Sequence, residues 1–502
     1  MKKIILAIIS IIMATFMFVG CGESVKPLDN VSGEVFSGNG SFAVEKGDYV
    51  YFINGIEEVT KENKFGEVEK AQLVRVKTSE LYNPKTAKIE TVIPKLFITA
   101  SYTTGVYIYG DYVYFATPSD RKDKQSNVLN DQTLFYRFNL KTGKADSKHI
   151  AIATDNTTEY RFVESNGTVY LMFVNSEKVD DSTTNKTLVV YNADTREEVM
   201  TSFVYKEMLM AEDNSNSVYL TKFGRDEVNE ADESFHELYK YTVGEKEAKL
   251  VLSGAPSNRP NIDEDKRIED NLQGATFTLV KNNGEYLIYK QQLLDSKNVS
   301  ISYNYIKADG VKGIIGGRNK YLDEAFTKNS YVKSINEVYY VDTTDTIGCF
   351  VKFNYEKIND KDLKNGIEIV CDEVKGYTLQ FVENGYAYFS DSEGFYYRCD
   401  LEGNNFSKIN GIAMKSSSNW YAPRVIGNYF LGVYGDDLYA SYVYCVDMTN
   451  INNAEEYDKY LEDVVVDDKE HVIKLHETLV GKMSDADKTA FDEAVEKKYK
   501  ED

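Results

Sequence analysis

Histidine, cysteine and clustered acids are the side chains from which this chain would have to build a reactive centre. It has only four histidines and five cysteines in 502 residues. His471 and His476 stand five apart in a stretch with helical spacing, so they point to different faces and cannot share a metal ion. His149 and His236 are lone residues in or beside strand patterns, where a structural role is the ordinary one. Cys399 and Cys445 occupy equivalent places in neighbouring repeats, and ring geometry sets such places further apart than a disulfide spans. Cys349 and Cys371 flank one hairpin; buried free thiols are expected there, with a bridge as the alternative. The acidic run 261–270, with Asn261, Asp263, Asp265 and Asp270, offers oxygens to Ca²⁺. It lacks the glycine and closing glutamate of an EF-hand loop, so it reads as solvated charge. The glycine-rich stretch 313–320 lacks the Gly-Lys-Ser/Thr ending of a phosphate loop and reads as a turn. Trp420 and Tyr421 offer an aromatic platform for a sugar, although strand packing is the simpler role. The 80 acidic residues allow many carboxylate pairs for glycoside cleavage, at separations a sequence does not fix. No GxSxG, HExxH or Walker A motif occurs, so no catalytic, metal or cofactor residue is assigned.

The elements that would position any site are strands. The stretch 375–412 gives four short apolar and aromatic runs. They are separated by turns at Asn384-Gly385, at 392–394 and at 402–405. That is the pattern of a four-stranded antiparallel meander. Its second-strand motif, a turn then tyrosine and a hydrophobic run, recurs eight times, starting near Gly47, Gly110, Gly167, Ser217, Gly284, Asn336, Gly385 and Gly427. Each copy is followed by an alternating third strand, in which Arg75, Arg137, Lys240, Lys352 and Arg398 interleave with apolar residues as one inward and one outward face would require. A fourth strand follows in seven copies, for example 88–93, 249–252 and 366–370. Such sheets bury their faces only by packing radially, so the fold class is all-β, a β-propeller of eight blades. Seven blades is the alternative, because the fourth and fifth copies are the most degraded. Residues 31–37 have no partner in the first copy and are expected to complete the last blade. Long loops at 61–71, 119–132, 176–185 and 255–272 are natural places for recognition.

Composition agrees with a half-buried sheet protein. There are 39 Tyr and 25 Phe against one Trp, and mean hydropathy is −0.43. The net charge of −22 repels phosphate backbones, so nucleic acid is not an expected partner. Beyond 450 the spacing turns helical, and 451–502 reads as a small acidic helical tail.

The N-terminus is a leader: Lys2 and Lys3, an apolar run over 4–19, then Gly20-Cys21-Gly22. Val19-Gly20-Cys21 resembles the lipobox of bacterial lipoproteins, with Phe18 where leucine is usual. The resemblance implies cleavage after residue 20, lipid attachment at Cys21, a tether over 22–30 and a propeller over 31–450 held outside the cytoplasmic membrane. An uncleaved signal anchor is the alternative, and has the same topology. Tyr388-Phe389-Ser390-Asp391 with Leu401-Glu402-Gly403-Asn404 resembles the YWTD repeat of low-density-lipoprotein-receptor propellers, and of bacterial lipoprotein propellers that share it. That likeness implies a fold and no active site. The expected function is a lipid-anchored binding or scaffold module with a protein or glycan ligand and no cofactor. The alternative is a propeller enzyme acting on envelope or dietary glycans.

Overall fold

The computed structural model describes residues 23–448, apart from 56–62, 69–70, 82–87, 98–104, 121–123, 125–131, 155–158, 180–183, 214, 225–234, 256–273, 295–298, 328, 344–347, 358–362, 393, 410–421 and 436–440. The acidic run 261–270, Trp420, Tyr421, His471, His476 and the tail 451–502 lie outside the described residues.

The first blade shows how sequence becomes sheet. Strands β1 (Val35–Ser37), β2 (Ala43–Lys46), β3 (Tyr49–Asn54), β4 (Gln72–Lys77) and β5 (Glu90–Ile93) pair in that order, all antiparallel. Gly47, at φ +56°, makes the tight turn between β2 and β3. Every residue of β3 is buried, because blades cover it on both faces. Seven further sheets follow the same order, so the molecule is an eight-bladed propeller and the seven-bladed alternative falls. The two copies most degraded in sequence have some of the longest second strands, Ser217–Gly224 and Tyr286–Leu294. Their polar residues had obscured the aromatic motif without shortening the ladder.

Between blades the core is apolar and aromatic. Separate clusters fill the seams from blade two to blade seven, such as Tyr107, Tyr114, Tyr160 and Phe162 between the second and third. One larger cluster joins Val44 and Phe52 of the first blade to Tyr388 of the seventh and Phe430 of the eighth. This seam closes the ring by packing. Fully burying one such side chain contributes roughly 1.5–3 kcal/mol.

Four expectations need correction. Residues 31–37 do not complete the last blade: β1 pairs with β2, on the edge that faces the ring axis, and the eighth blade has three strands among the described residues. The short hop at 38–42 turns β1 back along β2 and leaves it no reach to the eighth blade. The loop expected at 176–185 is largely ladder, with Ser176 opposite Lys186 and Lys178 opposite Thr184. The glycine-rich stretch is no turn: Lys312–Gly317 is the outer strand of the fifth blade, and Asn319 caps α1 (Lys320–Ala325) by accepting from Tyr321 N and Leu322 N, both at 3.1 Å. Finally, the third-strand cations do not all face solvent. Arg75 is 0% exposed and Arg398 6%.

Buried Arg75 and Arg398, with half-buried Arg137, define a blade device. The guanidinium of Arg75 lies 4.1 Å over the Tyr49 ring, Arg137 4.8 Å over Tyr112 and Arg398 4.4 Å over Tyr386. In each case the cation also reaches outside its own strand. Arg75 bonds Glu90 and the Asp29 carbonyl, Arg137 bonds Asp146 and Asp194, and Arg398 meets Met448 Sδ at 3.6 Å.

Candidate functional site: the axial cavity

Among the described residues the first strand of blades two to eight is paired on one edge only, and in the first blade β1 covers the inner edge of β2; these inner edges converge on the ring axis. The turns that follow these strands form one rim. A cavity of about 790 Å³ opens there, lined by β1, Lys46, Tyr109, Gly110, Glu164, Glu212, Asp213, Glu383 and Arg424. These residues come from six blades. A second cavity of about 600 Å³ shares Glu212 and Asp213 and continues round the axis past Lys281, Asn283, Tyr331 and Phe381.

Most polar groups of this rim are spent on holding blades together. Asn39 Oδ1 accepts from Ile108 N at 2.7 Å, and Tyr109 Oη donates to Phe162 O at 2.9 Å. Arg161 donates to the Ala211 carbonyl. Glu212 pairs with Lys281 at 2.9 Å, Lys281 donates to Ser330 O at 2.5 Å, and Asn283 donates to Val332 O at 2.9 Å. Asp213 accepts from Ser215 N at 2.9 Å and lies against Gly284, where a Cβ would sit 2.1 Å from its carboxylate. Lys46 donates to the Gly33 carbonyl, and burial pulls its ammonium below the ordinary range.

Glu383 and Arg424 are different. They close the seam between the seventh and eighth blades, and Arg424 Nε is buried with no hydrogen-bond partner. Burial raises the Glu383 carboxyl, and the Arg424 charge opposes that rise. Burial lowers the Arg424 guanidinium, against the pull of Glu383. The two feel each other without a bond between them among the described residues. Phe36 on β1 adds an aromatic face that is 66% exposed. The cavity thus presents a guanidinium, carboxylates and an exposed ring, with hydrogen-bonding capacity left over from the fold.

The residues singled out from sequence lie elsewhere. His236 is buried in the fourth blade; its Nδ1 lies 3.0 Å from Phe277 O and its Nε2 2.8 Å from Lys206 Nζ. Phe277 N also lies 3.0 Å from Nδ1, so both backbone atoms of Phe277 clasp the ring there, while the Lys206 ammonium, which can only donate, makes Nε2 the acceptor. Burial, with Lys206 adding to it, lowers its pKa. His149 sits edge-on to Tyr136, ring centroids 6.2 Å apart. Cys349, Cys371, Cys399 and Cys445 are all buried, and none of them is in a disulfide. The hairpin bridge between Cys349 and Cys371 is absent. Cys371 instead lies with Cys399 of the next blade in one apolar cluster, and the Cys371 thiol beside it together with burial pushes the Cys399 thiol far up. Among the described residues no group of three or more His, Cys, Asp or Glu side chains could hold a metal ion. No single motif marks Glu164, Glu383 and Arg424, yet a signal existed: Lys46-Gly47, Glu164-Ser-Asn-Gly167 and Glu383-Asn-Gly385 put a charge just before the same turn of three copies.

The YWTD-like residues do structural work. Tyr388 stacks on Phe381 with centroids 4.6 Å apart. Asp391 accepts from Gly394 N at 2.8 Å and Phe395 N at 2.9 Å, and Asp400 accepts from Asn404 N at 2.7 Å.

No protein-family profile and no curated protein matches the chain. Among solved structures the chain shows likeness at low identity. The β-propeller domain of the Trilobed protease from Pyrococcus furiosus is 12% identical, over 72% of this chain and 95% of that one, at a TM-score of 0.35. Polysaccharide lyase Uly1 is 11% identical, over 86% and 95%, also at 0.35. The computationally designed Ika8 protein is 8% identical, over 81% and 94%, at 0.33. Likeness at this level extends to enzymes and to a designed protein, and says nothing of what this chain binds.

Proposed function

We propose that the protein is a bacterial lipoprotein with YWTD-like repeats, anchored through Cys21 on the outer side of the cytoplasmic membrane, whose axial cavity binds a hydroxyl-rich ligand such as a glycan segment. The observation that carries this reading is the unspent set on the axis: Arg424 and Glu383 without a mutual bond, Glu164 nearby in the lining, and the exposed ring of Phe36. A sugar offers hydroxyls that both donate and accept, and apolar C–H faces that lie on an aromatic ring. Concave sites with a few convergent polar groups are the usual form of small-molecule sites. A −22 surface argues against a nucleic acid in the same role.

The test is binding of envelope glycans and soluble oligosaccharides to the purified chain, by calorimetry or array. Arg424→Ala and Phe36→Ala should each weaken binding about tenfold or more, equivalent to about 1.4 kcal/mol; the melting temperature should hold in Phe36→Ala and fall in Arg424→Ala, which empties part of the seam between the seventh and eighth blades. Retention of no glycan, or binding indifferent to both changes, would remove the cavity from consideration.

Cleavage of the glycan is a second reading, favoured by one observation. Burial raises the Glu383 carboxyl, which is what a general acid requires. Product release from a bound oligosaccharide that Glu383→Gln abolishes, while binding persists, is its expected signature. Binding without turnover leaves the first reading alone.

A further inference from the structure

The lining of the axial cavity carries five carboxylates, Glu34, Glu164, Glu212, Asp213 and Glu383, against two cations, Lys46 and Arg424. Neither cation offsets the acids at the mouth. Lys46 gives its ammonium to the Gly33 carbonyl. Arg424 is the third residue back from its turn at Gly427, and Glu383 the first back from the turn at Asn384-Gly385. At about 3.4 Å per residue, Arg424 is therefore rooted about 7 Å deeper than Glu383. Among the acids, Glu212 pairs with Lys281 and Asp213 accepts one backbone N–H. The exposed carboxylates of Glu34 and Glu164 take part in no hydrogen bond or ion pair among the described residues.

A cleft lined by one sign of charge concentrates ions of the other sign, and the −22 of the whole chain acts in the same direction. A metal ion is the wrong kind of cation. Ca²⁺ takes about six to eight oxygens at about 2.3–2.6 Å, and no three such acids come together among the described residues. Glu34 belongs to the first blade, Glu164 to the third and Asp213 to the fourth. Ammonium groups spaced along a chain suit that separation, since each is satisfied by one carboxylate. The ring of Phe36, 66% exposed at the same mouth, attracts a cation over its face. Independently of the acids, Arg424 Nε is buried without a hydrogen-bond partner on the same cavity and requires an oxygen acceptor. In a ring of eight, the third and fourth blades lie across the axis from the eighth. A ligand that satisfies both sides carries amine at one place and oxygen at another.

We propose that the ligand of the axial cavity is a glycan bearing free amino groups. Its ammoniums meet Glu34 and Glu164 at the mouth, while a hydroxyl or ring oxygen of the chain accepts from Arg424. The proposal rests on the glycan reading of the cavity and narrows it from hydroxyl-rich chains at large to amino sugars that are not N-acylated. N-acetylation turns the ammonium into a neutral amide, so the same backbone in acetylated form loses its charged contacts at the mouth. The same acids repel a polyanionic glycan.

The experiment is calorimetry on the purified chain with two probes of one backbone, a glucosamine oligomer and the same oligomer fully N-acetylated, at mildly acidic pH where the sugar amines are protonated. The glucosamine oligomer should bind about tenfold tighter or more, and the margin should shrink as salt is raised. Glu34→Gln combined with Glu164→Gln keeps shape and removes charge, and should erase the margin by weakening the glucosamine oligomer more than the acetylated one. Arg424→Ala should weaken both alike. Equal affinity for the two oligomers, or a preference for the acetylated one, overturns the amine assignment and leaves the glycan reading standing. Binding of neither overturns both. A margin that survives the paired glutamine changes places the amines elsewhere and overturns the site. A lysine oligomer of equal charge that binds as tightly would show that charge without sugar suffices, and would overturn the proposal as well.

Discussion

Arg75 shows why single residues matter in this ring. Its guanidinium is wholly buried and fully engaged, bonding Glu90, Tyr51 and the Asp29 carbonyl while stacking on Tyr49. Arg75→Met leaves the Glu90 carboxylate and the Asp29 carbonyl without partners. The expected loss is about 3–5 kcal/mol, read by urea unfolding, because one partner of a buried pair is removed. A loss below about 1 kcal/mol would mean water replaces the guanidinium. His236 gives a pH signature. Its folded pKa lies below its unfolded value of about 6.5, so the unfolded chain binds more protons between the two. Its contribution to stability is present above about 6.5 and is lost as pH falls toward the depressed folded value. Melts from pH 8 to pH 5 should show that decline in the native chain and a flatter profile in His236→Gln; parallel profiles would assign the acid sensitivity elsewhere.

At the scale of the element, two glycines with the same backbone sign make a contrast. Gly403, at φ +87°, ends the turn after the third strand of the seventh blade, and a Cβ there would sit 1.8 Å from Val370 O in the sixth. Gly110 is also left-handed, but a Cβ would meet nothing within 4 Å. Gly110→Ala should cost about 1–2 kcal/mol of conformational strain. Gly403→Ala should cost that and a further 1–3 kcal/mol of overpacking between blades. Equal melting points for the two variants would show that the seam yields. The YWTD-like turn could be read from sequence because Asp391 and Asp400 bond within four residues of themselves. The Gly403–Val370 contact could not, since its partners belong to different blades.

For the whole molecule the decisive feature is the cluster that runs from the seventh blade through the eighth to the first. Phe430 lies in that cluster, 5.2 Å from Tyr396 and 6.3 Å from Tyr388 between ring centroids. Among the described residues no N-terminal strand staples the seam, and side-chain packing holds it. Phe430→Ala should cost about 3–5 kcal/mol and broaden the unfolding transition as the end blades detach first. Hydrogen exchange is the measurement, with early loss of protection at Tyr429–Gly435 and Ala43–Lys46. Uniform exchange across all blades would point to closure by other means.

The sequence by itself determined the repeat and the four-strand meander of the blades; it favoured eight blades and left seven open until the sheets were seen. These depend on alternation and turn residues only a few positions apart, and each copy restates the same local physics. It also carried the short-range bonds of the YWTD-like turns. Only the tertiary structure decided that β1 lies on the axis, that Arg75 and Arg398 are buried, and that Cys371 meets Cys399. It alone brought Glu164, Glu383 and Arg424 to one cavity. Each of these results depends on how one sheet faces the next around a closed ring, a relation between residues up to hundreds of positions apart that no local pattern encodes.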